Sequence, residues 1–105
     1  MADIITKIDN MIKENKVVLF MKGTKEFPQC GYSSVVSSLL SDMNVDFKCV
    51  NVLDDDDIRQ GIKKYSNWPT IPQLYINQEF IGGHDIIVSY HRENTLKNLF
   101  HNIAS

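Results

Sequence analysis

The sequence predicts an α/β domain, a four-stranded mixed sheet flanked by helices on both faces. A short, wholly apolar run, Val17-Val18-Leu19-Phe20-Met21, has the length and continuity of a central strand covered on both sides. Apolar residues at three- and four-residue steps recur before it, after it and again towards the C-terminus, as amphipathic helices require. Two more short apolar runs flank Asn77-Gln78 and read as a hairpin. The resulting order is α-β-α-β-α-β-β-α.

The first helix carries Ile4, Ile5, Ile8, Met11 and Ile12, with Asp3 placed as its N-cap. After the central strand and a loop, a helix begins at Cys30. Its apolar stripe is Val35, Val36, Leu39, Leu40 and Met43, with Asn44 as C-cap. Phe47 to Val52 reads as a strand, and strand–helix–strand alternation implies a parallel pair with a right-handed crossover. Asp54 to Asp57 is the one charge run. It lacks the glycine and distal glutamate of a calcium loop. Its carboxylates therefore cap and complement the next helix, which carries Ile58, Ile62 and Tyr65. Trp68-Pro69 stops that helix, because the residue before proline avoids helical geometry. Leu74 to Ile76 and Glu79 to Ile81 form the hairpin, although glutamine at the second turn position is poor where positive φ is needed. Gly82-Gly83 marks a sharp bend or a close backbone approach. A last helical region holds Ile86, Ile87 and Tyr90, then Leu96, Leu99, Phe100 and Ile103, with a break near Asn94.

The 105 residues are read as one domain, long enough to build a core without metal or disulfide staples. A net charge of −2 provides no basic face for nucleic acid. No apolar run approaches the roughly 20 residues of a membrane span. Two cysteines are too few for a disulfide scaffold, so a reducing compartment is expected. The first residues show neither a secretory nor a transit pattern. A cytoplasmic protein, or an organellar one already processed, is the expectation.

The stretch Lys22 to Val36, KGTKEFPQCGYSSVV, carries the chemistry. It places one cysteine where a loop enters a helix, and helix-start N–H groups with a nearby lysine lower a thiol from about 8.5 to roughly 3.5–7.5. Cys30 is therefore the candidate nucleophile and metal ligand. Ser33 stands where the second thiol of a Cys-x-x-Cys pair would be. Pro28, Gln29, Gly31 and Ser33 read as loop or helix-start residues rather than core. Cys49 alternates within a strand and reads as a core cysteine. Lys22 is either a solvated strand-end lysine or a cation beside the Cys30 sulfur. Arg59 and Lys63 lie four apart on one helix face, and by themselves read as solvated charges.

The segments KGTKEFPQCGYS, WPTIPQLYIN and FIGGHDI, in this order and spacing, resemble the monothiol (CGFS-type) glutaredoxin family, with Tyr32 where phenylalanine is usual. The resemblance runs from about Ile4 to Leu99, nearly the whole chain. It implies a thioredoxin-like fold and a glutathione site. In the family the positions of Arg59 and Lys63 hold a glutathione carboxylate, and Lys22 adds a third cation. A cis proline at Pro72 would turn the backbone of Ile71 outward as an open edge for the peptide. Gly83 would admit the γ-glutamyl end, while Asp85 would receive its ammonium and help cap the last helix. Tyr32 would stack beside the site, and Trp68 would anchor the proline loop.

His84 stands where a second cysteine is frequent. A histidine iron ligand is conceivable there, and an exposed helix-start residue is the simpler reading. The family binds [2Fe–2S] clusters in a homodimer, with Cys30 and glutathione from each protomer, and passes them to apo iron–sulfur proteins. A BolA-like protein can be the partner instead. The alternative implied is a glutathione-dependent thiol–disulfide oxidoreductase with Cys30 as nucleophile.

Overall fold

The computed structural model describes residues 2–100. Its sheet is built outward from β1 (Val17–Met21), every residue of which is buried. β2 (Lys48–Asn51) pairs parallel to it, Val18 opposite Lys48 and Met21 opposite Asn51. β3 (Gln73–Ile76) runs antiparallel on the other side, with Phe20 opposite Gln73. β4 (Glu79–Gly82) completes the order β2-β1-β3-β4. The predicted mixed four-stranded sheet is observed.

Alternation along β1 sends its side chains to two separate cores. Val17, Leu19 and Met21 pack with Val36 and Leu40 of α2 (Gly31–Asp42) and Ile87 of α4 (His84–Arg92). Val18 and Phe20 pack with Ile8 and Ile12 of α1 (Ala2–Glu14) and Ile58 and Ile62 of α3 (Asp56–Ser66). Helices therefore cover both faces, and a continuous apolar strand is required between them. Burying a side chain such as Phe20 contributes about 1.5–3 kcal/mol, and truncating one such as Leu40 to alanine costs about 2–5 kcal/mol.

Several boundaries differ from expectation for local reasons. α1 starts at Ala2, so Asp3 lies in its first turn and is not the N-cap. Cys30 is the N-cap of α2 rather than its first helical residue. This helix's C-cap is Met43, and Asn44 follows it in the left-handed region at φ 58°. The buried face of α2 is Ser33, Val36, Ser37 and Leu40, and Val35 is turned to solvent. Ser33 is thus a core residue, not merely a helix-start one. Asp55 caps α3, accepting from the N–H groups of Asp57 and Ile58, as the acidic run requires. Left-handed Asn67 ends α3 before Trp68-Pro69 is reached.

The hairpin turn holds Asn77 at φ 50° and Gln78 at φ 71°, so glutamine does occupy a positive-φ position. α4 ends before Asn94, also left-handed, and a 3-10 turn, Leu96–Phe100, follows the expected break. Ile103 lies outside the described residues.

Candidate functional site

Three chain segments converge at the C-terminal end of β1. The loop leaving β1 turns back at Gly23, whose φ of +97° and bridge to Pro28 leave no room for a side chain. Asn51, at the end of β2, fastens that turn by accepting from the N–H groups of Gly23 at 2.9 Å and Leu53 at 3.0 Å. The loop then delivers Cys30 to the start of α2 in extended geometry.

Burial pushes the Cys30 thiol up. The N–H groups of Ser33 and Tyr32, the Ser33 hydroxyl and the Lys22 ammonium outweigh it and hold the thiol below its ordinary value. Ser33 is wholly buried and accepts from the Lys22 N–H at 3.1 Å, which leaves its own hydrogen free for the sulfur. Cys49 differs. Its thiol, half-buried, points at the Gly23 carbonyl at 3.9 Å, and burial pushes its pKa up. It packs at the edge of the core rather than within it.

A cleft of about 640 Å³ opens beside Cys30. Lys22, Tyr32, Lys63, Ile71, Gly83 and Asp85 line it together with Cys30, and Arg59 does not. The floor is the loop Trp68–Pro72, in which the Ile71-Pro72 bond is cis. Among the described residues, no hydrogen bond uses the backbone N–H or C=O of Ile71. The Trp68 indole packs on Phe80 at 5.6 Å and leaves so little space over Gly83 that a Cβ there would lie 3.3 Å from Nε1. Trp68 is therefore the anchor expected, and Gly83 the close approach.

His84 departs from the exposed reading. Its side chain is half-buried, its ring packs at a 59° tilt against Tyr32 with centroids 4.7 Å apart, and its Nδ1 lies 2.7 Å from Asp85 Oδ1. Asp85 makes no capping bond to α4, and its carboxylate stays open to solvent beside the cleft. Sequence reasoning missed Gln73, which is wholly buried beneath the floor with its amide bonded to the loop. A polar residue between Pro72 and an apolar run was the available signal.

A single activated thiol at the N-cap of a helix, beside a cleft lined by two lysines and an aspartate, defines a thiol protein of thioredoxin-like architecture. The Glutaredoxin family model matches residues 17–81. Monothiol glutaredoxin-5, mitochondrial, of Saccharomyces cerevisiae is 51% identical over 101 residues, covering 93% of this chain and 67% of that protein. Reduced poplar apo GrxS14 superposes with a TM-score of 0.81 at 48% identity, over 95% of this chain and 93% of that one. A buckwheat glutaredoxin–glutathione complex shares the fold, with a TM-score of 0.82 at 23% identity over 93% and 87% of the two chains. The chain belongs to the glutaredoxin family, in its monothiol branch.

Proposed function

We propose that the protein binds [2Fe–2S] clusters as a homodimer, each cluster held by Cys30 and one glutathione thiol from each protomer, and passes them to apo iron–sulfur proteins. The observation that carries this reading is the presence of one accessible, activated thiol per chain at the mouth of a peptide-sized cleft. A [2Fe–2S] cluster takes four ligands, usually thiolates. Among the described residues, no three His, Cys, Asp or Glu side chains are grouped as a metal site. Two chains supply two thiolates, and two glutathiones complete the set. Ligands that exchange with solvent make such a cluster transferable.

The cleft's chemistry supports glutathione in particular. Lys22 and Lys63 offer cations for its two carboxylates, Asp85 an anion for its ammonium, and Ile71 unpaired backbone groups for its central peptide. A BolA-like protein in place of one protomer would use the same Cys30 thiol. A reducing compartment, cytoplasmic or organellar, keeps that thiol free.

Thiol–disulfide exchange is the second reading, favoured by the lowered Cys30 pKa. The Cys30 thiolate attacks a glutathionylated thiol, the protein thiol leaves as thiolate, and Cys30 is left as its glutathione disulfide. A second glutathione then reduces it, giving oxidised glutathione, because buried Ser33 cannot act as a resolving thiol. Anaerobic reconstitution with iron, sulfide and glutathione separates the two. A coloured dimer that needs both glutathione and Cys30 is expected. A colourless monomer with rapid deglutathionylating turnover overturns the first reading in favour of the second.

A further inference from the structure

We propose that Gln73 is a positioning residue that aims the backbone of Ile71 into the cleft, and so sets the affinity for the peptide portion of the ligand. The inference rests on the glutathione reading above. Gln73 opens β3 on the same face as Tyr75, opposite Phe20, in a layer otherwise filled by Ile8, Ile12, Ile58 and Ile62. It is wholly buried there. A primary amide in such a place is costly unless its donors and acceptor are all used.

They are almost all used. Nε2 donates to the Trp68 carbonyl at 3.1 Å and to the Thr70 carbonyl at 3.1 Å, while Oε1 accepts from the Tyr75 hydroxyl at 3.2 Å. One side chain therefore ties two points of the cleft floor to the central sheet.

The direction of the Thr70 carbonyl matters most. In a trans peptide the C=O and the following N–H point in opposite directions across one rigid plane. Drawing the Thr70 carbonyl inward to Gln73 turns the Ile71 N–H outward, away from the core. No acceptor among the described residues takes that N–H, and Ile71 lines the cleft. The Trp68 carbonyl belongs to a Trp68-Pro69 bond that has no N–H, so only the Thr70 bond sets a donor. An apolar residue at position 73 would fill the same space and leave this plane free to rotate.

The test is glutathione binding measured by calorimetry, with the Ile71 amide followed by NMR, in wild type, Gln73→Met, Tyr75→Phe and Ile76→Val. Gln73→Met preserves volume and removes the donors. Its glutathione affinity is expected to fall about tenfold, about 1.4 kcal/mol, and the ligand-induced shift of the Ile71 amide is expected to disappear. Ile76→Val trims the opposite core and serves as a stability control that binds as wild type. Should Gln73→Met not fold, Tyr75→Phe decides. It leaves both loop bonds possible but frees Oε1, and about threefold weaker binding is expected, the lower end of what one neutral hydrogen bond contributes. Wild-type affinity in Gln73→Met, or in Tyr75→Phe where that variant decides, overturns the inference, as does an equal loss in Ile76→Val. A wild-type chain that fails to bind glutathione overturns the ligand reading itself, a result visible before any variant is made.

Discussion

The backbone N–H of Lys22 donates to Ser33 Oγ at 3.1 Å, so the end of β1 is joined to the first turn of α2 directly under the Cys30 sulfur. The position at which a resolving thiol would make a dithiol site is here a buried hydroxyl with a structural bond. One serine thus closes the loop between strand and helix and favours the thiolate above it. Ser33→Ala is expected to leave the Lys22 N–H without its acceptor, at a cost of about 1 kcal/mol. The Cys30 thiol should titrate higher in the same variant. Chemical denaturation and thiolate absorbance against pH check the two halves separately, and an unchanged titration would mean the hydroxyl does not face the sulfur.

The two cysteines should part company with pH. Burial opposes ionisation at Cys30, but the surrounding N–H groups, the Ser33 hydroxyl and Lys22 prevail, so its folded pKa lies below the ordinary thiol value. Its contribution to stability is therefore present above that ordinary value and is lost as pH falls through the lowered one. Burial dominates at Cys49 and raises its pKa. Its contribution is present below the ordinary value and is lost as pH rises through the raised one. Alkylation followed by peptide mass mapping should label Cys30 at a lower pH than Cys49, and simultaneous labelling would contradict both assignments.

Much of this architecture was legible because strand and helix periods differ, and the sheet with its two helical layers follows from Val17–Met21 and the spaced isoleucines. The phase of α2 was not. Val35 reads as core and Ser33 as a loop or helix-start residue, whereas the packed face is Ser33, Val36, Ser37 and Leu40. Hydropathy cannot show that a serine is buried when a backbone N–H across the fold is its partner. Gln73 was missed for the same reason, since its partners are loop carbonyls and a tyrosine hydroxyl. Arg59 shares a helix face with Lys63 but stands one turn away from it, about 6 Å along the axis, and does not line the cleft. Periodicity registers the shared face and not that distance.

Two glycines flank the thiol and should respond oppositely to alanine. A Cβ on Gly23 would lie 2.5 Å from Gln29 N and 2.5 Å from the Phe27 carbonyl, at a φ of +97°. Gly23→Ala should cost well over 1 kcal/mol, since neither the dihedral nor the space suits a side chain, and displace Cys30. Gly31 has nothing within 4 Å of its Cβ position and opens α2. Gly31→Ala should be neutral to stabilising, by at most about 1 kcal/mol. Thermal unfolding of the two variants checks the contrast, and equal losses would mean that the turn geometry is not what holds the loop.

The cleft's cations should contribute unequally to ligand capture. Lys22 and Lys63 line it and Arg59 does not. A partly exposed ion pair is worth on the order of 0–1 kcal/mol, so no single carboxylate contact dominates. Lys22 lowers the Cys30 thiol and, on the glutathione reading proposed above, would also meet the ligand. Lys22→Ala should therefore raise the glutathione concentration needed for cluster reconstitution more than Lys63→Ala does, and Arg59→Ala should raise it least. Added salt should bring the Lys63→Ala curve towards wild type, because screening weakens the exposed Lys63 contact that only wild type retains. Part of the Lys22 effect should survive salt, since its ammonium acts on a partly buried sulfur, where screening is weaker. Cluster absorbance against glutathione concentration, at low and high salt, gives the ranking. Superimposable curves for all three variants would make these cations an ordinary solvated face, and an Arg59→Ala effect as large as that of Lys22→Ala would place the carboxylate further along α3 than the cleft extends.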